Sequence, residues 1–332
     1  MSSAMHLVML MYGYIGVVAA KNLVESSKFS SILVFGDSTV DPGHVATGRF
    51  SNGKLVSDFL ASALNIKDTV PPFLNPDLSD QELLTGVSFA SGESGIDDFT
   101  ASLTNVLSMD QQLQYFKAYT MKLKQIVGED QAMQRLQHAL VLISVGTNDF
   151  ILNFHDFPSR RLMFITIDAY QDYLLDKFDV MIKELYDEGC RNIGVAGLPP
   201  LGCVPLQMSL KFKIDRQCLV HQNADSEKYN QKLAQRLSLL QATLPQSKIV
   251  YGDLYHPLLN LYTHPQHYGM EVTNRGCCGS GYLEVIEICN AYTPLCSNHS
   301  KYAFWDSVHL TEASYSYLAD HLIRVALPLF FK

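Results

Sequence analysis

The sequence lacks any apolar run of the ~20 residues that a membrane-spanning helix needs. It also lacks a basic cluster. Its 25 Lys and Arg face 33 Asp and Glu, giving a formal charge of −8 and a pI near 5.7. A basic stripe is the electrostatic footprint of nucleic-acid binding, so that class is disfavoured. Charged residues make up only 17% against 47% hydrophobic, with a mean hydropathy of +0.04. That balance excludes a disordered chain and supplies a large core. No repeat, low-complexity tract or linker interrupts the 332 residues. Without a GxGxxG turn or a P-loop lysine, a nucleotide-binding module is also disfavoured.

The one long apolar stretch at the N-terminus, Leu7 to Ala20, is too short to span a bilayer and ends in small residues before Lys21. That pattern predicts a secretory signal peptide over residues 1–20, although Met1 to His6 carries no Lys or Arg. The competing reading is a buried first helix or strand. Residues 21–30 then form a short extension, and residues 31–332 a single domain.

Seven cysteines are present, four of them within residues 277–296 in a segment rich in Gly, Asn and Pro. In an exported chain that density predicts disulfides. Cys203 and Cys218 are placed to close a local loop, and Cys190 reads as a buried free thiol. A zinc site of His264, His267, Cys277 and Cys278 is the alternative, without the usual CxxC spacing. Asn298-His299-Ser300 is a glycosylation acceptor if the chain is secreted.

Ser31–Phe35, Ala139–Val145, Asn192–Ala196 and Lys248–Tyr251 are short continuous apolar runs, and Gly86–Ala90 is a weaker one. Such runs predict strands of a parallel sheet covered on both faces. Helical periodicity lies between them, at Leu113 to Ile126, Met163 to Leu185, Ala224 to Leu240 and Tyr315 to Ile323, with Thr311 as N-cap of the last. The alternation predicts a doubly wound, three-layer α/β/α fold with a five-stranded parallel sheet.

Ligands of such sheets bind beyond the carboxyl ends of the strands. Those ends carry Gly36-Asp37-Ser38, then Ser91 to Gly95, then Gly146-Thr147-Asn148-Asp149; Asp306-Ser307-Val308-His309 precedes the last helix. They supply the parts of a serine hydrolase. A serine hydroxyl needs a base, and His309 needs an orienting acid such as Asp306. The positive N-terminal end of the last helix disfavours imidazolium at His309, and Asp306 offsets it. The Ser38 N–H, the Asn148 amide and a backbone N–H after the second strand are the candidate oxyanion donors. The G-x-S-x-G elbow of the α/β-hydrolases is absent.

Taken together, Phe35 to Ser38, Gly86 to Gly95, Gly146 to Asp149 and Asp306 to His309 resemble the four blocks of the SGNH hydrolase superfamily. Leu198 to Pro205 and Gly276-Cys277-Cys278-Gly279 narrow the resemblance to the plant GDSL esterase/lipases, close to their extracellular lipase group. The resemblance implies a flavodoxin-like fold and ester hydrolysis through an acyl-serine, with no metal or organic cofactor. It implies Ser38 as nucleophile, His309 as base and then acid, Asp306 as its partner, and Asn148 as an oxyanion donor. The expected substrates are acyl lipids or acylated cell-wall components outside the cell.

Two features depart from the family pattern. The oxyanion glycine position holds Glu93, or Gly92 if the block slips by one residue. The stretch between Ser38 and Gly48 is shorter than in relatives, with His44 where Asn is common. Both motivate an alternative: a catalytically impaired homologue that acts as an extracellular binding or structural protein. Acyl transfer by the same triad is a third reading. The sequence does not specify an oligomeric state.

Overall fold

The computed structural model describes residues 29–43, 49–156, 160–285 and 288–332. The Leu7–Ala20 stretch and His44 lie outside the described residues. Four parallel strands run in the spatial order β1 (Ser31–Gly36), β2 (Ala139–Ser144), β3 (Asn192–Ala196), β4 (Lys248–Gly252). Ser31 pairs with Ala139 and Gly36 with Ser144, so β1 and β2 end together.

Side chains alternate between the two faces, as the pleat requires. Leu33, Phe35, Val141, Ile143, Ile193, Val195 and Ile249 point into the larger core. Its covering helices are α1 (Met109–Val127), α2 (Ile167–Asp187) and α3 (Val220–Thr243). The opposite face carries Ile32, Val34, Leu140, Leu142 and Val250. It lies under the helix Val56–Ala63, under α4 (Glu312–Val325) and under the 3-10 turn Leu327–Phe331. This is the expected three-layer α/β/α arrangement.

The sheet has four strands where five are expected. Gly86–Ala90 pairs with β1 through an isolated Val34–Ser88 bridge rather than a ladder, in which the Val34 N–H donates to Val87 O at 3.1 Å and the Phe89 N–H to Val34 O at 2.7 Å. Two constraints stop the ladder there. Gly86 has φ of +100°, and a Cβ on it would meet the Ile32 backbone. Ser88 also bridges to Pro72 on its other side, and a proline cannot extend a ladder.

Helix limits follow their caps. Thr166 Oγ1 accepts the Ala169 N–H, so α2 starts at Ile167 rather than at Met163. Thr311 caps α4 through the Ser314 N–H as expected. Cys203 pairs with Cys218, Cys277 with Cys296, and Cys278 with Cys289. Cys190 is free and buried, and burial pushes its thiol up to about 12.

Two parallel residue pairs hold the end of β1. Gln112, on the buried stripe of α1, accepts the Gly36 N–H and donates to Gly36 O, both at 2.9 Å. The Asp37 N–H continues the ladder to Ser144 O at 3.0 Å. Gly36 sits at φ +138°, and any Cβ there would run into the Ser144 carbonyl. Gly36→Ala is therefore expected to lower the unfolding free energy by about 3 kcal/mol, read from a urea titration. An unchanged midpoint would contradict this close approach.

Candidate active site

The chain leaves β1 in a tight turn that carries Ser38. Asp37 organises it: its Oδ1 accepts the Thr39 N–H at 3.0 Å and the Thr39 hydroxyl at 2.7 Å. Burial pushes the Asp37 carboxyl up to about 6, against the lowering effect of those two bonds and of His309. The Val40 N–H closes the turn on Asp37 O at 3.1 Å.

His309 reaches this turn from the far end of the sequence. Its Nε2 lies 2.8 Å from Ser38 Oγ, and its Nδ1 lies 2.7 Å from Asp306 Oδ2. Asp306 Oδ1 accepts the backbone N–H groups of Val308 and His309 at 2.8 and 2.7 Å. The carboxylate is thus fixed by the loop it belongs to, and the imidazole is fixed by the carboxylate. Ser38, Asp306 and His309 are all buried. Burial lowers the His309 titration, and the Asp306 charge and hydrogen bond, with Asp37 and Glu93 behind them, more than offset it. The net effect lies above the ordinary imidazole value.

The disulfide-linked segment supports this loop from behind. The Cys277 N–H donates to Phe304 O and the Cys278 N–H to Trp305 O, at 3.0 and 2.9 Å. A Cβ on Gly276 would strike the Asp306 backbone. The Ser307 N–H donates to Glu284 O at 2.8 Å, inside the same segment. Cys277 and Cys278 are consumed in disulfides, so the zinc reading loses its two thiolate ligands. Among the described residues no His, Cys, Asp or Glu cluster is arranged to hold a metal ion.

The candidate oxyanion donors come from three loops. Neither the Ser38 N–H nor the Glu93 N–H has a hydrogen-bond partner among the described residues. Asn148 gives one amide hydrogen to Ser94 O at 2.9 Å and retains the second, at the edge of the cavity that Ser38 and His309 also line. The Gly92 N–H is already committed to Asp41 Oδ2 at 2.7 Å, so the slipped alignment leaves no free donor. Glu93 has φ of +63°, the left-handed region that a glycine enters freely and other residues enter at a cost of about 1–2 kcal/mol.

Three supporting residues were not singled out in the sequence. Phe50 lies against His309 with ring centroids 5.1 Å apart, in space that a Cβ on Gly92 would invade. Gln112 was masked by the apolar stripe around it, where a lone amide was the available signal. Asp149 anchors the segment that follows Glu93, accepting the Ile96 and Asp97 N–H groups at 2.8 and 3.1 Å and the Thr100 hydroxyl at 2.5 Å. Its signal was an acid beside Asn148 at a strand end.

Comparison with known proteins identifies the family. The profile of the GDSL-like lipase/acylhydrolase family matches residues 32–322. Two Arabidopsis thaliana proteins named GDSL esterase/lipase are each 47% identical to the chain. The first is matched over 94% of this chain and 93% of its own length, the second over 91% and 90%. A third with the same designation is 40% identical over 93% of this chain and 92% of its own. The chain belongs to the GDSL-like lipase/acylhydrolase family, as a plant-type carboxylic-ester hydrolase.

Proposed function

We propose that residues 31–332 form one secreted catalytic domain that hydrolyses acyl esters through an acyl-serine at Ser38. The observation that carries this reading is the unbroken hydrogen-bond chain from Ser38 through His309 to Asp306, at 2.8 and 2.7 Å. Acyl lipids and acylated cell-wall components are the substrate classes.

His309 Nε2 takes the Ser38 proton as Oγ attacks the ester carbonyl, and Asp306 stabilises the imidazolium. The Ser38 and Glu93 N–H groups and the Asn148 amide face the oxyanion of the tetrahedral intermediate. Collapse breaks the carbon–oxygen bond to the alcohol, which leaves with the proton from His309. Water then repeats the sequence on the acyl-serine. His309 deprotonates it, the carboxylic acid leaves, and Ser38 regains its proton.

Secretion rests on the Leu7–Ala20 pattern, the three disulfides and the exposed Asn298 acceptor. Disulfides persist in oxidising compartments. Among the described residues no helix is long and apolar enough to cross a membrane.

Ser38→Ala and His309→Ala are each expected to lower kcat/KM on p-nitrophenyl butyrate by at least ~10³-fold with the fold intact. Asp306→Asn is expected to cost a similar or smaller factor. Wild-type rates in a clean Ser38→Ala preparation would refute the mechanism. A fluorophosphonate probe should label the wild type stoichiometrically and spare Ser38→Ala; an unlabelled, folded wild type would favour the impaired homologue.

The base must be neutral to accept a proton, so kcat/KM is expected to rise with pH through the His309 titration. That acid limb should lie above the ordinary value of about 6.5. Glu93→Gly removes one of the charges that raise it, so the limb should move to lower pH and turnover should rise. A limb that stays in place in the pH–rate profile would show that the Glu93 charge does not reach the base.

A further inference from the structure

Phe50 lies against His309 but outside the cavity. The two ring centroids are 5.1 Å apart and the planes make 37°, closer to stacked than to edge-on. Among the described residues, the wall of the cavity shared by Ser38, Asn148 and His309 does not include Phe50. We propose, resting on the reading of Ser38 as nucleophile and His309 as base, that Phe50 is a positioning residue whose aromatic face supports the His309 ring and stabilises the imidazolium formed during ester cleavage.

The segment around Phe50 is built to hold it in place. On one side the Arg49 guanidinium donates to both Asp58 oxygens, at 2.6 and 2.9 Å. That carboxylate also accepts the Leu55 and Val70 N–H groups at 2.9 and 2.8 Å, so the arginine is anchored on a buried, fully engaged acid. On the other side Ser51 Oγ donates to Leu310 O at 3.0 Å, and Asn52 Oδ1 accepts the Glu312 N–H at 2.9 Å. Leu310 directly follows His309, so the residue beside Phe50 is tied to the residue beside the base. The tip of the ring is confined as well, because a Cβ on Gly92 would lie 2.5 Å from Phe50 Cζ. The ring therefore spans from His309 to the backbone next to Glu93.

The chemistry distinguishes this ring from an apolar filler. An aromatic face carries negative charge density and attracts a cation within ~6 Å of its centroid. His309 is neutral as the base and charged only while its Nε2 holds the Ser38 proton. The attraction is thus stronger in the transition state than in the resting enzyme, which is the condition for raising kcat. Both residues are buried, where water does not screen it. The charged and titratable groups on the other sides of His309 are Asp306 on its own loop, Asp37 after β1 and Glu93 beside Gly92. Tyr315 of α4 lies within electrostatic reach of Asp306 and Asp37. All four are left in place by the variants that follow.

The experiment compares pH–rate profiles on p-nitrophenyl acetate for the full chain, for Phe50→Leu and for a chain with a meta-difluorinated phenylalanine at position 50. Fluorination keeps the shape of the ring and drains its face. Phe50→Leu is expected to lower kcat about 3- to 10-fold with KM unchanged, and to move the acid limb down by about 0.5–1 pH unit. The fluorinated ring should shift both in the same direction by a smaller step. A folded fluorinated chain indistinguishable from the wild type would overturn the proposal, because packing alone then accounts for the leucine variant. A raised KM at constant kcat would overturn it too, by placing Phe50 in substrate binding. A second measurement does not need turnover: the His309 imidazole is titrated by NMR in Ser38→Ala, with and without Phe50→Leu. The titration should fall to lower pH in the double variant, and an unmoved titration in folded protein would overturn the proposal. A lowered titration in a chain without Ser38-dependent hydrolysis would refute the nucleophile and support the contact between Phe50 and His309. If Phe50→Leu does not fold, the fluorinated ring decides both measurements.

Discussion

The close approach of β1 and β2 at their carboxyl ends is the constraint on which the site rests. Gly36 has no side chain because the Ser144 carbonyl occupies that space. Gln112 grips both polar groups of the same residue. The Ser38 turn therefore starts from a backbone position that cannot drift, beside a second strand that ends at the same level. Asn148 follows that strand four residues after Ser144. Ser38 and Asn148 reach one cavity because two parallel strands end in register. The helices on the larger core lock this geometry through apolar burial, and they contribute little to the chemistry directly.

Much of this was legible in the sequence. Continuous apolar runs gave the strands, and the polar residues just after them gave Ser38, Asn148 and, before the last helix, Asp306 and His309. What stayed hidden depends on distance in three dimensions. The Gly86–Ala90 run has strand composition, yet Pro72 on one side and the Gly86 backbone on the other limit it to a single bridge with β1. Helix starts were set by individual hydroxyls such as that of Thr166 rather than by periodicity. Phe50 and Gln112 act on residues far from them in the chain; no local pattern marks Phe50, and a lone amide in an apolar stripe is all that marks Gln112. The pairing of Cys277 with Cys296 and of Cys278 with Cys289 was open because adjacent cysteines point opposite ways and only the fold says which partner lies on which side.

Those two disulfides belong to the architecture of the Asp306–His309 loop. Cys277 and Cys278 donate their backbone N–H groups to the residues immediately before Asp306. The cross-links restrict a segment with little core of its own, and chain-entropy models assign such loops about 2–4 kcal/mol each. The rigidity of the Asp306–His309 loop is thus borrowed from covalent bonds, whereas the rigidity of the Ser38 turn comes from the sheet. The two halves of the site are held by different physics.

The Ser38–His309 hydrogen bond joins residues 271 apart in sequence. Loops of that span close late, because their entropy must be overcome before any contact rewards it. During synthesis Ser38 is made long before His309. In the proposed mechanism Ser38 stays without its base until the Asp306–His309 loop docks. On that reading hydrolytic competence is a property of the folded molecule alone, and its appearance serves as a clock for the completion of folding.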